Sequence, residues 1–254
     1  MLLSVVTVVR NDSTVVATIE SILAQKGVDL ECLVIDGAST DSTLASLAPF
    51  KRRIRLLSEP DKGIYDAMHK GLRLAKGRVV GFLNAGDVFL GDRNLAAVVR
   101  AFVSDPDLGA CFAGLEIADA QGKVKRWWPA SPFQPGAFAR GWMPSHPTFY
   151  ALRQSLLDLG GFDTRYRLAA DYDLMLRVLE KAHLRSTALP LTLVRMRSGG
   201  ASQASLVALW RHNREAWTSA KAAGLVGGSF LAFLARKWGR KFPQVFKLHK
   251  DSSI

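Results

Sequence analysis

The sequence predicts an α/β fold with a mainly parallel central sheet flanked by helices. Three observations carry that expectation. Short β-branched apolar runs alternate with amphipathic helical stretches through the first 100 residues. The runs are too apolar for a sheet with one wet face, so both faces must be covered. Each run also closes on a polar turn with acidic residues in or near it, at the place where open α/β sheets bind ligands.

Residues 2–9 form the first strand, and Asn11-Asp12-Ser13 then supplies turn and helix-start chemistry. Val16, Ile19, Ile22 and Leu23 follow on one helical face. Residues 30–35 are the second strand, ended by Asp36-Gly37, with Ser39 to Thr43 opening a helix. Residues 54–57 are the third, followed by the polar stretch 58–63. A helix over 64–75 closes at Gly77, and the fourth strand, 79–83, ends in Asn84-Ala85-Gly86-Asp87. Beyond about residue 105 the pattern changes. Residues 110–118 and 123–128 suit an antiparallel pair around an Asp119–Gly122 turn. A loop rich in Pro, Gly and aromatics fills 129–147, and helices are expected from Arg153 and over 171–182.

At 254 residues, 48% hydrophobic and 22% charged, the chain suits one large α/β domain with an appendage. The domain is expected over 1–194, with its halves meeting near 105, and a basic helical extension over 195–254. The net charge of +12 is uneven: from Arg195 onward there are 11 Lys/Arg against 2 Asp/Glu, and before it 23 against 20. Such a basic tail on a near-neutral body suggests an accessory surface and argues against nucleic acid as the partner. Phe230 to Leu248 interleaves apolar residues with Arg236, Lys237, Arg240, Lys241 and Lys247. That pattern suits either an anionic membrane surface or a helix packed on the domain. Cys32 and Cys111 each lie in an apolar run, with neither disulfide nor metal spacing. The apolar start lacks the basic flank of a signal peptide, and no stretch is long enough to span a bilayer. A cytoplasmic protein, peripheral on the inner face of the plasma membrane, is the expectation.

Neither a dinucleotide fingerprint nor a P-loop follows a strand, and no serine elbow is present. Strand-end carboxylates remain. Here six stretches resemble glycosyltransferase family 2 in the family's own order: SVVTVVRND, LECLVIDGASTDST, SEPDKGIYDAMHKGLRLAKG, VVGFLNAGD, SHPTFY and GGFDTRYRLAADYDLMLR. They run from Ser4 to Arg177, and the third and fourth particularly resemble bacterial enzymes that build exopolysaccharide or lipopolysaccharide sugars. The resemblance implies a GT-A fold, a nucleotide-binding half joined to an acceptor-binding half.

It also implies roles. Asp36 would contact base or ribose, with Arg10, Asp61, Lys62 and Gly63 also on the donor side. The family's metal-binding acidic element falls on Asn84-Ala85-Gly86-Asp87, so Asp87 would hold Mg²⁺ or Mn²⁺, while Asn84 offers only a neutral amide oxygen. A hard cation with oxygen ligands can neutralise the charge on a departing diphosphate. The family's paired carboxylates at a helix start fall on Ala170-Asp171, which leaves Asp171 as the candidate base for a sugar hydroxyl. His146 matches the acceptor side, where it could bond acceptor, diphosphate or metal. Trp127, Trp128 and Trp142 suit either sugar stacking or core packing. Lys62, Arg153 and Arg177 could pair with phosphate or with carboxylates.

The implied activity is inverting transfer of a sugar from a nucleotide-diphosphate donor, with UDP the family's commonest nucleotide, to a glycan or lipid-linked hydroxyl in bacterial surface polysaccharide synthesis. The alternative is a binding module, for sugar nucleotides or a membrane surface, that has lost turnover; the missing carboxylates at Asn84 and Ala170 favour it. A nucleotidyltransferase is excluded, because Val9-Arg10-Asn11-Asp12 replaces the Gly-rich start those enzymes need.

Overall fold

A computed structural model describes residues 1–198 and 205–237 of the chain. The later part of the predicted amphipathic stretch, from residue 238, lies outside the described residues.

Nine strands are present among the described residues: β1 (Leu2–Val9), β2 (Asp29–Asp36), β3 (Arg55–Ser58), β4 (Val79–Phe82), β5 (Val88–Phe89), β6 (Ala110–Ala118), β7 (Val124–Trp128), β8 (Tyr150–Leu152) and β9 (Ser186–Arg197). They form one sheet in the order β3-β2-β1-β4-β8-β6-β9-β5, with β7 paired to β6 off that path. β1 pairs in parallel with β2 along its full length, from Leu2 opposite Asp29 to Val9 opposite Asp36. β3 and β4 extend the same parallel register outward, with Ser58 opposite Asp36 and Phe82 opposite Val6. All four chains therefore leave the sheet along one edge, at residues 10, 37, 59 and 83.

Beyond β4 the sheet is mixed. β8 runs antiparallel to both β4 and β6, whereas β9 runs parallel to β6 with two register shifts, and β5 is antiparallel to β9. Three of these strands have no counterpart in the sequence reading. β5 has two residues and β8 three, too few to show a period, and β9 carries Pro190 mid-strand, which ordinarily argues against an interior strand.

The helices are α1 (Val15–Leu23), α2 (Thr43–Leu47), α3 (Ile64–Leu74), α4 (Asn94–Ser104), α5 (Arg153–Asp158), α6 (Ala170–Leu176) and α7 (Leu206–Ala222). Alternation in β1 feeds two cores. Val6 and Val8 pack with Met68, Leu72 and Tyr172 on one face, and Leu3, Val5 and Val9 with Ile19, Leu47 and Val98 on the other. Fully burying such a side chain contributes about 1.5–3 kcal/mol, so packing on both faces holds the sheet between helices. Cys32 and Cys111 are free and buried, and desolvation pushes the Cys32 thiol up to about 12 and Cys111 higher still. Both are inert core residues.

The helix expected over 171–182 is α6 continued by a π-turn, Arg177–Lys181. α7 packs on α6, with Ala216 and Ala220 fully buried, and the Ser205 hydroxyl caps its start by accepting from the Ala208 amide.

Candidate active site

Asp36 ends β2 with its side chain fully buried. A buried carboxylate is costly unless its oxygens are satisfied, and here they are. Ser39 donates both its amide, at 3.0 Å, and its hydroxyl, and the Ser58 hydroxyl donates at 2.6 Å. The Ser39 hydroxyl also accepts from the Asn11 amide at 2.8 Å, while the Asn11 side-chain oxygen accepts from Thr40. The turns after β1 and β2 are thereby stitched together.

Gly37 follows, and its lack of a side chain is a packing requirement. A β-carbon there would lie 2.2 Å from Asp61 Oδ2 and 3.3 Å from Arg10 Cδ. The Asp61 carboxylate therefore lies against the Gly37 backbone with the Arg10 stem beside it. Asp61 also accepts from the Gly63 amide at 2.8 Å, and Asp66, in the first turn of α3, accepts from Lys62. Arg10, Asp36, Asp61 and Gly63 lie around the Gly37 backbone, with Arg10 and Lys62 exposed.

The turn after β4 holds Asn84 and Asp87. Gly86 has φ +88°, a left-handed conformation that favours glycine. A β-carbon there would also meet the Arg197 Nε at 2.9 Å. Arg197 ends β9, donates its amide to Asp87 at 3.0 Å and pairs its guanidinium with Asp12 at 2.9 Å. Asp87 is only 5% exposed, and desolvation raises its carboxyl to about 7 against the opposing pull of Arg197. The Asn84 side-chain oxygen is buried with no hydrogen-bond partner. A hard cation fits this pair: an orphaned neutral oxygen beside a carboxylate that burial leaves short of compensating charge. Among the described residues no cluster of three or more acidic, His or Cys ligands exists, so most of the coordination would come from elsewhere.

Asp171 occupies the first turn of α6, where the helix dipole favours an anion. The Tyr65 hydroxyl, from the first turn of α3, donates to it at 2.8 Å. Burial, then the Asp171 charge, push Tyr65 well above its usual range, so it stays a donor. His146 stacks on Phe82 at 5.8 Å and meets the Phe162 edge at 6.1 Å. Burial holds its imidazole below the usual range although Asp171 pulls the other way, and its Nε2 has no hydrogen-bond partner. Tyr65 thus ties Asp171 to the turn carrying Asp61, and Phe82 ties His146 to the turn carrying Asn84.

The loop before Asp171 is held from α7. Glu215 accepts from the Leu168 and Ala169 amides, at 2.7 and 3.0 Å, and His212 bonds the Leu168 carbonyl. Asp173, two residues on, turns inward to Ser219 and Arg177. Arg177 is further engaged by the Leu159 and Gly161 carbonyls, and Arg153 by those of Leu72 and Arg73. Both arginines hold structure together. Trp142 is a core residue, whereas Trp127 is half exposed and donates to Thr192.

A family model described as "Glycosyl transferase family 2" matches residues 4–167. The chain belongs to glycosyl transferase family 2. This family 2 chain is 31% identical over 165 residues to a "PGL/p-HBAD biosynthesis glycosyltransferase" of Mycobacterium bovis, covering 63% of this chain and 62% of that protein. It thus spans somewhat under two thirds of that relative's length. It is 30% identical over 180 residues to an "uncharacterized glycosyltransferase" of Mycobacterium tuberculosis, covering 68% and 67%. An "O-antigen biosynthesis protein" of Myxococcus xanthus is 31% identical over 173 residues, which cover 63% of this chain and 13% of that one.

The fold is that of GT-A glycosyltransferases. S. aureus TarS, solved with UDP-GlcNAc, superposes with a TM-score of 0.64 at 15% identity, covering 96% of this chain and 73% of that one. A Pyrobaculum calidifontis mannosyltransferase, solved with GDP-Man and Mn²⁺, gives 0.60 at 18%, covering 94% and 80%.

Two residues of the candidate site escaped the sequence reading. Tyr65 sits inside a stretch that carries the resemblance, but nothing local marks its hydroxyl as a partner of residue 171. Arg197 counts in the sequence only as tail charge; its pairing with Asp12 spans 185 residues.

Proposed function

We propose that this enzyme moves a sugar, with inversion, from a nucleotide-diphosphate donor, UDP-linked in the first instance, to a hydroxyl of a glycan or lipid-linked acceptor in the synthesis of bacterial surface polysaccharide. The observation that carries the reading is the Tyr65–Asp171 hydrogen bond, which joins the acceptor-half carboxylate to the turn of Asp61 on the sheet edge of Asp36. Asp171 takes the proton of the acceptor hydroxyl. The acceptor hydroxyl oxygen attacks the anomeric carbon from the face opposite the diphosphate, and the bond to the diphosphate oxygen breaks. Asp36, Asp61 and Gly63, with Arg10 and Lys62 at the rim, hold the nucleoside. Asn84 and Asp87 would hold Mg²⁺ or Mn²⁺ against the diphosphate, and that ion would offset the negative charge of the leaving group. Arg197 adds a fixed positive charge at the same turn. His146, neutral, is a hydrogen-bonding partner for the acceptor.

The test is melting temperature with UDP-, GDP- and dTDP-sugars, with and without Mn²⁺, because a ligand of the folded state alone raises it, together with product anomeric configuration by NMR. A UDP-sugar shift that needs Mn²⁺ and a product of inverted configuration are expected. A binding module that has lost turnover would give the shift and no product.

Two substitutions probe the parts. Gly37→Ala drives a methyl into Asp61, and donor affinity is expected to fall about tenfold or more, at a stability cost on the order of 1–3 kcal/mol. Calorimetric titration with UDP checks it. Tyr65→Phe removes a hydrogen bond to a charged group, worth about 1.5–3 kcal/mol. Transfer is expected to slow about tenfold or more with UDP affinity unchanged, as steady-state kinetics would show.

A further inference from the structure

α7 has two faces. The inner one carries His212, Glu215 and Ser219, bonded to Leu168, Ala169 and Asp173 around the start of α6. Its outer stripe is apolar yet open to solvent: Leu206 is 85% exposed, Val207 58% and Trp210 48%. A second helical stretch, residues 230–237, lies beside it. Phe230 takes the edges of Trp210 and Trp217 at 6.0 and 5.9 Å, and Leu231 is 74% exposed. A folded protein gains nothing in water from leaving such a contiguous apolar surface uncovered.

The charge that residues 205–237 expose to solvent has one sign. Arg211, Arg214, Lys221 and Arg236 are all exposed, with the Arg214 guanidinium and the Lys221 ammonium each 5.1 Å from the ring centres of Trp210 and Trp217. Glu215 is the sole carboxylate in residues 205–237, and it faces inward. Aromatic and aliphatic side chains flanked only by cations complement a bilayer surface carrying anionic headgroups: the apolar groups enter the acyl boundary and the cations stay at phosphate level. No helix among the described residues is long and apolar enough to cross a membrane.

We propose that the outer face of α7, with Phe230 and Leu231, docks this enzyme on an anionic lipid surface. The placement has a consequence for the proposed chemistry, on which this last step rests. α7 is one helix thick, about 10 Å, and its inner face grips the loop leading to Asp171. Docking through the outer face sets the candidate base close to the bilayer, within reach of a hydroxyl on a lipid-linked acceptor.

The experiment is co-sedimentation of the full chain with vesicles of phosphatidylcholine alone or with about 30% phosphatidylglycerol, alongside light scattering of the free protein. Binding to the anionic vesicles is expected to be at least tenfold tighter than to neutral ones, and weakened by salt. Leu206→Ser with Leu231→Ser should reduce it about tenfold or more without changing transfer to a water-soluble acceptor. Arg211→Glu with Arg214→Glu should do the same. Equal binding to neutral vesicles, or binding untouched by either double variant, overturns the proposal. So does a dimer that the serine variant dissociates, since a second copy would then be the occupant. Asp171→Asn should bind vesicles like the parent chain, so a failure of the catalytic reading and a failure of docking are separately visible.

Discussion

Asp171→Asn is expected to lower the rate of sugar transfer about 10²–10⁴-fold, the range for losing a positioned general base, with donor affinity unchanged. The amide that replaces the carboxylate is the same size and still accepts from Tyr65, so the geometry at the start of α6 survives. It cannot take a proton. Steady-state kinetics with UDP titration separates the two effects, and a variant within tenfold of the parent rate would remove Asp171 from the mechanism. Asp173→Asn supplies the contrast. That carboxylate accepts from Ser219 and is paired with Arg177 in a buried setting. Losing one partner of a buried pair costs about 3–5 kcal/mol, so the expected result is a lower melting temperature rather than a selective loss of turnover.

Asp87→Asn is expected to act in opposite directions on stability and activity. The Asp87 carboxyl titrates at about 7 in the folded chain, raised from 3.8 chiefly by burial. At about pH 3 and below the group is largely protonated whether folded or unfolded, and burial carries little ionic cost. As pH rises from about 4 towards 7 the unfolded chain ionises while burial keeps the folded carboxyl protonated, so the stability present at low pH is lost progressively, and the loss is complete once the folded group itself ionises above about 7. The amide escapes that loss. In metal-free buffer at pH 8 the variant should be more stable by an amount on the order of a few kcal/mol, about 2–4 °C in melting temperature for each, with the difference vanishing near about pH 3. Mn²⁺ with UDP should reverse the order, stabilising the parent chain and not the variant, while transfer by the variant falls at least about 10²-fold. A parent chain with flat stability between pH 5 and 8 would remove the strained carboxylate from the account. Stability traded for a charged site is a common pattern in enzymes.

The parallel half of the sheet was legible because its signals are local. β1, β2 and β4 are apolar runs with a polar stop, and the stops carry Asp36 and Asp87. The antiparallel pair β6–β7 was legible too, from its two runs around the Asp119–Gly122 turn, but β5, β8 and β9 were not, and the reason is length and context. β5 and β8 are shorter than any measurable period, and β9 is held by pairing with β6 despite its proline. Site residues divide the same way. Asp36, Asp61, Asp87 and Asp171 stand at element ends that a sequence can locate. Tyr65 and Arg197 are recognisable only once α3 meets α6 and the end of β9 reaches the turn after β1.

The sequence by itself determined the α/β class, the positions of the first four strands along the chain and the identity of the acidic residues at their ends, since periodicity and turn chemistry act over a few residues. Tertiary structure alone decided which hydroxyl grips Asp171, which arginine covers Gly86 and Asp87, and that α7 has one face on the site and the other in solvent. Those are pairings between groups far apart in the chain, set by how the layers pack, and no local pattern encodes them.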